Sequence, residues 1–204
     1  FWNNIACFGS FDGNFYMLNA ATGTPRGAPV KATMAGNAIK LAPSAPSEKG
    51  IIVFNAGNRF LVGVDMTTNK KKWEYAAPGS LSGPPQLDGK SLYCFMDPEH
   101  LLELDLHTSL PKGKLTRRLK FGGTLTHPGR IVDSIAYLSF AGGEVRALDV
   151  RSEKQLWSKT LDSAPTAPPT VAVEAGVVIL PLASGELVCL ETKTGDLRWK
   201  RETE

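Results

Sequence analysis

The chain has 204 residues, 42% of them hydrophobic, and 23 Lys and Arg against 20 Asp and Glu leave a net charge of only +3. One all-β domain of this length can bury a sizeable core, and with no run of 18 apolar residues no transmembrane helix is expected. The three cysteines, Cys7, Cys94 and Cys189, are isolated, which argues against a zinc site and a complete disulfide framework. Free buried thiols favour a reducing compartment over the bacterial periplasm.

In chain order, Phe1-Trp2-Asn3-Asn4 has no signal-peptide pattern. The run Ile5–Phe8 is followed by Ser10-Phe11-Asp12-Gly13-Asn14 and a second apolar stretch, a β-hairpin pattern. The pattern returns at Ile51–Phe54 with Asn55-Ala56-Gly57-Asn58 and at Leu92–Phe95 with Asp97-Pro98. It returns again at Ile135–Leu138 with Ala141-Gly142-Gly143 and at Val177–Leu180 with Ala183-Ser184-Gly185. Upstream, Pro46, Pro84-Pro85, Pro128 and Pro168-Pro169 mark short extended segments, since proline suits the start of a strand and not its middle.

Each second strand ends on an acid or amide followed three positions later by Thr or Ser: Asn19/Thr22, Asp65/Thr68, Asp105/Thr108, Asp149/Ser152 and Glu191/Thr194. The steps between first members are 46, 40, 44 and 42 residues, the period of a four-stranded propeller blade. Four and one positions before the acid the residues are always apolar: Phe15 and Leu18, Leu61 and Val64, Leu101 and Leu104, Val145 and Leu148, Leu187 and Leu190. Side chains alternate along a strand, so both faces of each sheet are predicted to be covered. Asx and Ser/Thr side chains bond nearby backbone N–H groups, so these acids read as turn formers rather than ligands. The following position, Gly23, Asn69, Ser109, Glu153 or Gly195, calls for a positive φ that Glu153 is not expected to meet.

A last strand is marked by Trp73, Trp157 and Trp199, eight residues after the acid, where the other copies carry Gly27 and Gly113. Two residues before the acid stand Gly63, Ala147 or Cys189 where the Trp is present, and Met17 or Glu103 where it is absent. This exchange of volume predicts that each indole docks at the small residue in one inter-blade space.

Gly9-Ser-Phe-Asp-Gly-Asn-Phe-Tyr-Met-Leu-Asn-Ala-Ala-Thr-Gly23 and Leu190-Glu-Thr-Lys-Thr-Gly-Asp-Leu-Arg-Trp199 resemble the tryptophan-docking repeat of pyrroloquinoline-quinone-like propellers. That superfamily includes quinoprotein alcohol dehydrogenases, assembly factors of the BamB type and propeller appendages of larger complexes. The resemblance implies an all-β propeller of four-stranded antiparallel blades. Five blades are visible, at about residues 1–30, 31–76, 77–120, 121–160 and 161–204, the first incomplete. The family's rings usually close with seven or eight. The chain is therefore expected to be a single propeller domain or a fragment of one, closed by further blades, by a partner segment or as a five-bladed ring.

Dehydrogenase chemistry is not transferred. There is no vicinal cysteine pair, the placed acids sit in turns, and His100, His107 and His127 show no metal spacing. No catalytic residue, cofactor or metal is assigned, and the expectation is a non-catalytic scaffold for other protein subunits. The alternative is part of a larger propeller that binds a quinone-type cofactor. From Pro111 to His127 five cations, Lys112, Lys114, Arg117, Arg118 and Lys120, stand without an acid, and Arg130 follows. The segment suits a solvated strand face or an acidic protein surface, and nucleic acid less. Arg59, His100, Phe11 and Phe140 join these six as exposed candidate contacts, loops being where binding surfaces arise. Charge reversal at Arg117 and Arg118 is expected to weaken partner binding without lowering the melting temperature.

Overall fold

A computed structural model describes residues 3–33, 37–106 and 114–203, and every regular element among them is a β-strand. The first sheet contains β1 (Ile5–Gly9), β2 (Asn14–Asn19) and β3 (Val30–Lys31), and the second β4 (Ile51–Ala56), β5 (Phe60–Asp65) and β6 (Lys70–Ala76). The third is β7 (Gln86–Asp88), β8 (Ser91–Met96), β9 (His100–Asp105) and β10 (Lys114–Lys120). The fourth is β11 (Arg130–Val132), β12 (Ile135–Ser139), β13 (Glu144–Asp149) and β14 (Lys154–Thr160). The fifth is β15 (Thr170–Ala172), β16 (Val177–Pro181), β17 (Glu186–Glu191) and β18 (Leu197–Glu202). Each sheet pairs only sequence neighbours, the meander of a propeller blade. Among the described residues no helix is long and apolar enough to cross a membrane.

The chain divides into two compact units, residues 1–97 with 102–118, and 98–101 with 119–204. In the first unit one core joins Ile5, Phe15, Met17, Ile52, Phe54 and Val62, with the Phe15 and Phe54 rings stacked at 4.7 Å. A second core lies on the opposite face of β4 and β5, where Val53, Leu61 and Trp73 meet Leu92, Cys94 and Leu104. All six β4 residues are buried, which accounts for the unbroken apolar run Ile51–Phe54. In the second unit Tyr137, Val145 and Trp157 pack against Val178, Leu180 and Val188.

Three of the five repeated residues act as turn formers, and the Asp105/Thr108 copy, with Ser109, runs outside the described residues. Oδ1 of Asn19, Asp65 and Asp149 each accepts two backbone N–H bonds, from Ala21 and Thr22, Thr67 and Thr68, and Arg151 and Ser152, at 2.8 to 3.2 Å. Glu191, one methylene longer, forks onto Arg198 instead, and Thr194 Oγ1 accepts the Asp196 N–H. Gly23, Asn69 and Gly195 take the expected positive φ. Glu153 takes it as well, at 58°, contrary to expectation: the Asp149 side chain fixes the turn and forces a residue with a Cβ into the left-handed region, which costs roughly 1–2 kcal/mol.

Strands β7, β11 and β15 begin just after their prolines. The Pro46 copy differs, because no regular strand forms there. Ser44 and Ser47 instead bond along β4, donating their N–H groups to Val53 and Ile51, while Val53 N–H and Ile51 N–H reach the two serine hydroxyls. The hydroxyls thus replace part of a backbone ladder.

Candidate functional site

Trp73, Trp157 and Trp199 lie directly opposite Gly63, Ala147 and Cys189 across their hairpins. In all three the register shifts immediately after this pair, leaving one extra residue, Lys72, Leu156 or Arg198, before the indole. A bulge re-aims the neighbouring side chain, and here it lays the ring across the partner strand. A Cβ at Gly63 would stand 2.3 Å from Trp73 Cε2, so no larger residue fits there with the indole in place. Trp73 and Trp157 are buried, and burial of such a ring contributes a few kcal/mol, on the order of the 3–5 kcal/mol lost in large-to-small core changes.

Within the second unit the indole also reaches the next blade. Trp157 Nε1 donates to Thr192 O at 2.8 Å, and a Cβ on Gly195 would come within 2.6 Å of the ring. The docking seat is therefore the following blade's acid-to-Thr turn. In the first unit the corresponding turn carries Asn69, whose Nδ2 donates to Ala28 O at 2.8 Å.

Backbone bonds at the strand ends correct two positions. Ala77, Leu161 and Thr203, each four residues after a Trp, donate their N–H groups to Arg59, Gly143 and Gly185, and in the other two sheets Ala32 and Phe121 make that bond. The residues equivalent to Trp are thus Ala28 and Arg117, not Gly27 and Gly113. Arg117 stands twelve positions after Asp105, so the fixed eight-residue spacing does not hold in this copy.

Arg117 consequently sits in the docking position of the third sheet. Its Nη2 and Nε lie 2.7 and 2.8 Å from Glu103 Oε2, while Ser91 Oγ donates to Oε1 at 2.7 Å. Glu103 is buried, and the phenol of Tyr93 beside it is pushed up, chiefly by burial. An ion pair replaces the indole and small residue. Arg117 is therefore a half-buried strand residue tied to the buried Glu103, which corrects the expectation of an exposed loop cation.

The remaining candidates separate by environment. Phe11 is 76% exposed at the tip of the β1–β2 turn. That turn is pinned by Asp12, which accepts Asn14 N–H at 2.9 Å and the Tyr16 hydroxyl at 2.5 Å. The Tyr16 bond, with the Asn14 N–H, lowers the Asp12 carboxyl to about 2. Nearby, Phe8 is exposed and stacked on Tyr16 at 5.4 Å. Arg118 is exposed on β10 and pairs with no carboxylate among the described residues, whereas Arg59 is tied to Ala77 O through Nε and Nη2. In the second unit Lys120 pairs with Glu99 at 3.2 Å and Arg130 is exposed. His100 is half-buried in β9. Lys112 and the side chain of Lys114 lie outside the described residues.

Phe140 is buried rather than exposed, and Arg146 accounts for it: the guanidinium lies 4.2 Å over its ring. Arg146 also forks onto Glu144 with two bonds of 2.7 Å and donates to Phe121 O, while Ser158 Oγ donates to Glu144 at 2.6 Å. The Arg146 fork first, then Ser158, lowers the Glu144 carboxyl to about 2. Leu119, Phe121, Phe140, Arg146 and Glu153 line a cavity of about 190 Å³ there. Arg146 was not singled out from the sequence, although the equivalent positions, Tyr16, Val62, Leu102 and Val188, carry no charge and make it visible.

Five antiparallel meanders with a shared docking position define the class: a β-propeller built of PQQ-like, tryptophan-docking repeats. The family described as outer membrane protein assembly factor BamB matches residues 12–167 and 111–204, and the chain belongs to that family. No curated protein matches the sequence. Among solved structures, BamB from Moraxella catarrhalis is similar at 20% identity with a TM-score of 0.68, over 97% of this chain and 58% of that one. This chain thus spans well under two thirds of that BamB. The β-propeller domain of Myceliophteria thermophila Cps50 (Swd1) is similar at 10% identity with a TM-score of 0.72, over 98% and 69% of the two chains. The computationally designed Ika8 protein is similar at 16% identity with a TM-score of 0.64, over 100% and 73%.

Proposed function

We propose that this chain is a non-catalytic propeller scaffold, a single propeller domain or a part of one, that binds another protein subunit. Phe11 carries the reading. An aromatic ring 76% exposed on a turn fixed by Asp12, Asn14 and Tyr16 is a rigid anchor that loses little freedom on binding. The exposed Arg118 on β10 adds charge suited to an acidic protein surface, which steers association more than it tightens it. Membership of a family described as an assembly factor supports a role in assembling other proteins.

The test compares the chain with Phe11→Ser and Arg118→Glu as baits against the proteins of its own cell. Both variants are expected to melt like the parent while losing the same captured subunit. Capture unchanged by either substitution, or saturable binding of a quinone by the parent chain, contradicts the scaffold reading.

A further inference from the structure

We propose that the groove between the fourth and fifth sheets binds an aliphatic carboxylate, its chain against Leu156, Val171 and Val173 and its head at Lys193. The groove lies wholly within the second unit and encloses about 490 Å³. That is the size of a small-molecule site.

Three departures from the repeat converge on this cavity. The residue after the repeated acid is Met66, Leu106 or Val150 in the second, third and fourth copies, an apolar side chain that is buried each time. In the fifth copy it is Thr192, which keeps the backbone bond of Met66 and Val150 to the preceding turn but directs its hydroxyl onto Gly176 O at 3.1 Å. Thr192 is shorter than Met66 and Leu106, and it stays half-buried on the cavity wall. The bulge residue before the indole is a cation held by the repeated acid in two copies, Lys72 on Asp65 at 3.3 Å and Arg198 on Glu191 at 2.6 Å. In the fourth sheet it is Leu156, which cannot form that pair and lines the cavity, 48% exposed. Finally, the link from β15 to β16 has four residues, where those from β7 to β8 and from β11 to β12 have two. The longer link adds Val173, 54% exposed, to the same wall.

With the half-buried Val132, Ile135 and Val171, these side chains make a lining that gains by covering its apolar surface. The body of the ligand is therefore aliphatic. Its head follows from the charges. Of the two charged residues on the wall, Asp133 is engaged within the protein, whereas Lys193 is exposed with no hydrogen-bond or ion-pair partner among the described residues. The charge left to be paired is positive, and a single ammonium, acting as a point charge, matches one carboxylate. The site is independent of Phe11 and Arg118, and so of the scaffold reading.

Titration calorimetry of the full chain with decanoate, and with decanol as its uncharged counterpart, tests this. Decanoate is expected to bind saturably at a single site. Thr192→Met and Leu156→Lys each install the residue that another copy carries there, Met66 or Lys72, so both are expected to melt like the parent. Each is expected to weaken decanoate by about tenfold or more, the equivalent of one lost apolar contact of side-chain size. Lys193→Met removes the charge and keeps an apolar stem. It is expected to weaken decanoate by about two- to fivefold, the range of an exposed ion pair, and to leave decanol unchanged. Decanoate that does not saturate below its micelle concentration overturns the proposal, and so does binding that survives both Thr192→Met and Leu156→Lys. An equal effect of Lys193→Met on both probes overturns the assignment of the head.

Discussion

Trp157 lies against Gly195 across a blade junction, near enough that a methyl group on the glycine would sit 2.6 Å from the ring. Gly195→Ala therefore meets both a clash and an unfavourable φ of 74°, and is expected to destabilise the chain by roughly 2–3 kcal/mol. Gly23→Ala has the same backbone demand but open space, so about 1 kcal/mol is expected in dilute solution. Urea unfolding of the two variants gives the comparison. Equal losses would show that backbone strain alone sets the cost.

The Arg117 and Glu103 pair makes the next case. Arg117→Ala strands a buried carboxylate and is expected to cost about 3 kcal/mol. Replacing both residues by apolar ones should cost much less. This revises the expectation that charge reversal at Arg117 spares the melting temperature; only Arg118 among the two is free of a core role. A double-mutant cycle read by thermal unfolding checks it, and additive losses would contradict the pairing.

Acid sensitivity tests the Arg146 cluster. The folded Glu144 carboxyl lies at about 2, below its ordinary 4.5. A lowered folded value means the contribution is present above pH 4.5 and is lost as the pH falls toward 2. Asp12, Asp65, Asp149 and Glu186 are lowered as well, so the readout is the difference between parent and variant. Glu144→Gln is expected to flatten part of the parent's loss of stability between those values in chemical unfolding. Parallel curves would contradict the role given to the Arg146 fork.

Phe11 should be silent in the fold. Because its ring is exposed, Phe11→Ser is expected to change stability by less than about 0.5 kcal/mol, as measured by thermal unfolding. A large loss would assign the ring to the core and remove it from the binding surface.

The turns were readable because their chemistry is local: an Asx side chain and the N–H groups it satisfies lie within three residues. Tryptophan docking was readable in part, since the exchange of Trp with Gly63, Ala147 and Cys189 is a same-sheet relation. The seat at Gly195 was not, because it belongs to the next blade and its glycine also suits the turn. Fixed spacing misplaced the third-sheet position at Gly113. The equivalent residue is Arg117, twelve positions after Asp105, as the bond from Phe121 N–H to Glu99 O reveals. The same local view counted Arg117 and Phe140 as exposed, when partners from neighbouring strands, Glu103 and Arg146, draw them in. Phe11 is exposed as expected, its surroundings being set by the local turn.

The most direct measurement is a double-mutant cycle on Trp157→Ala and Gly195→Ala, read as unfolding free energy. If the indole of one blade docks on the turn of the next, Gly195→Ala loses most of its cost once the ring is gone, with a coupling of about 1–2 kcal/mol. Strictly additive losses would show that Trp157 and Gly195 stabilise their blades independently, and would contradict the docking account.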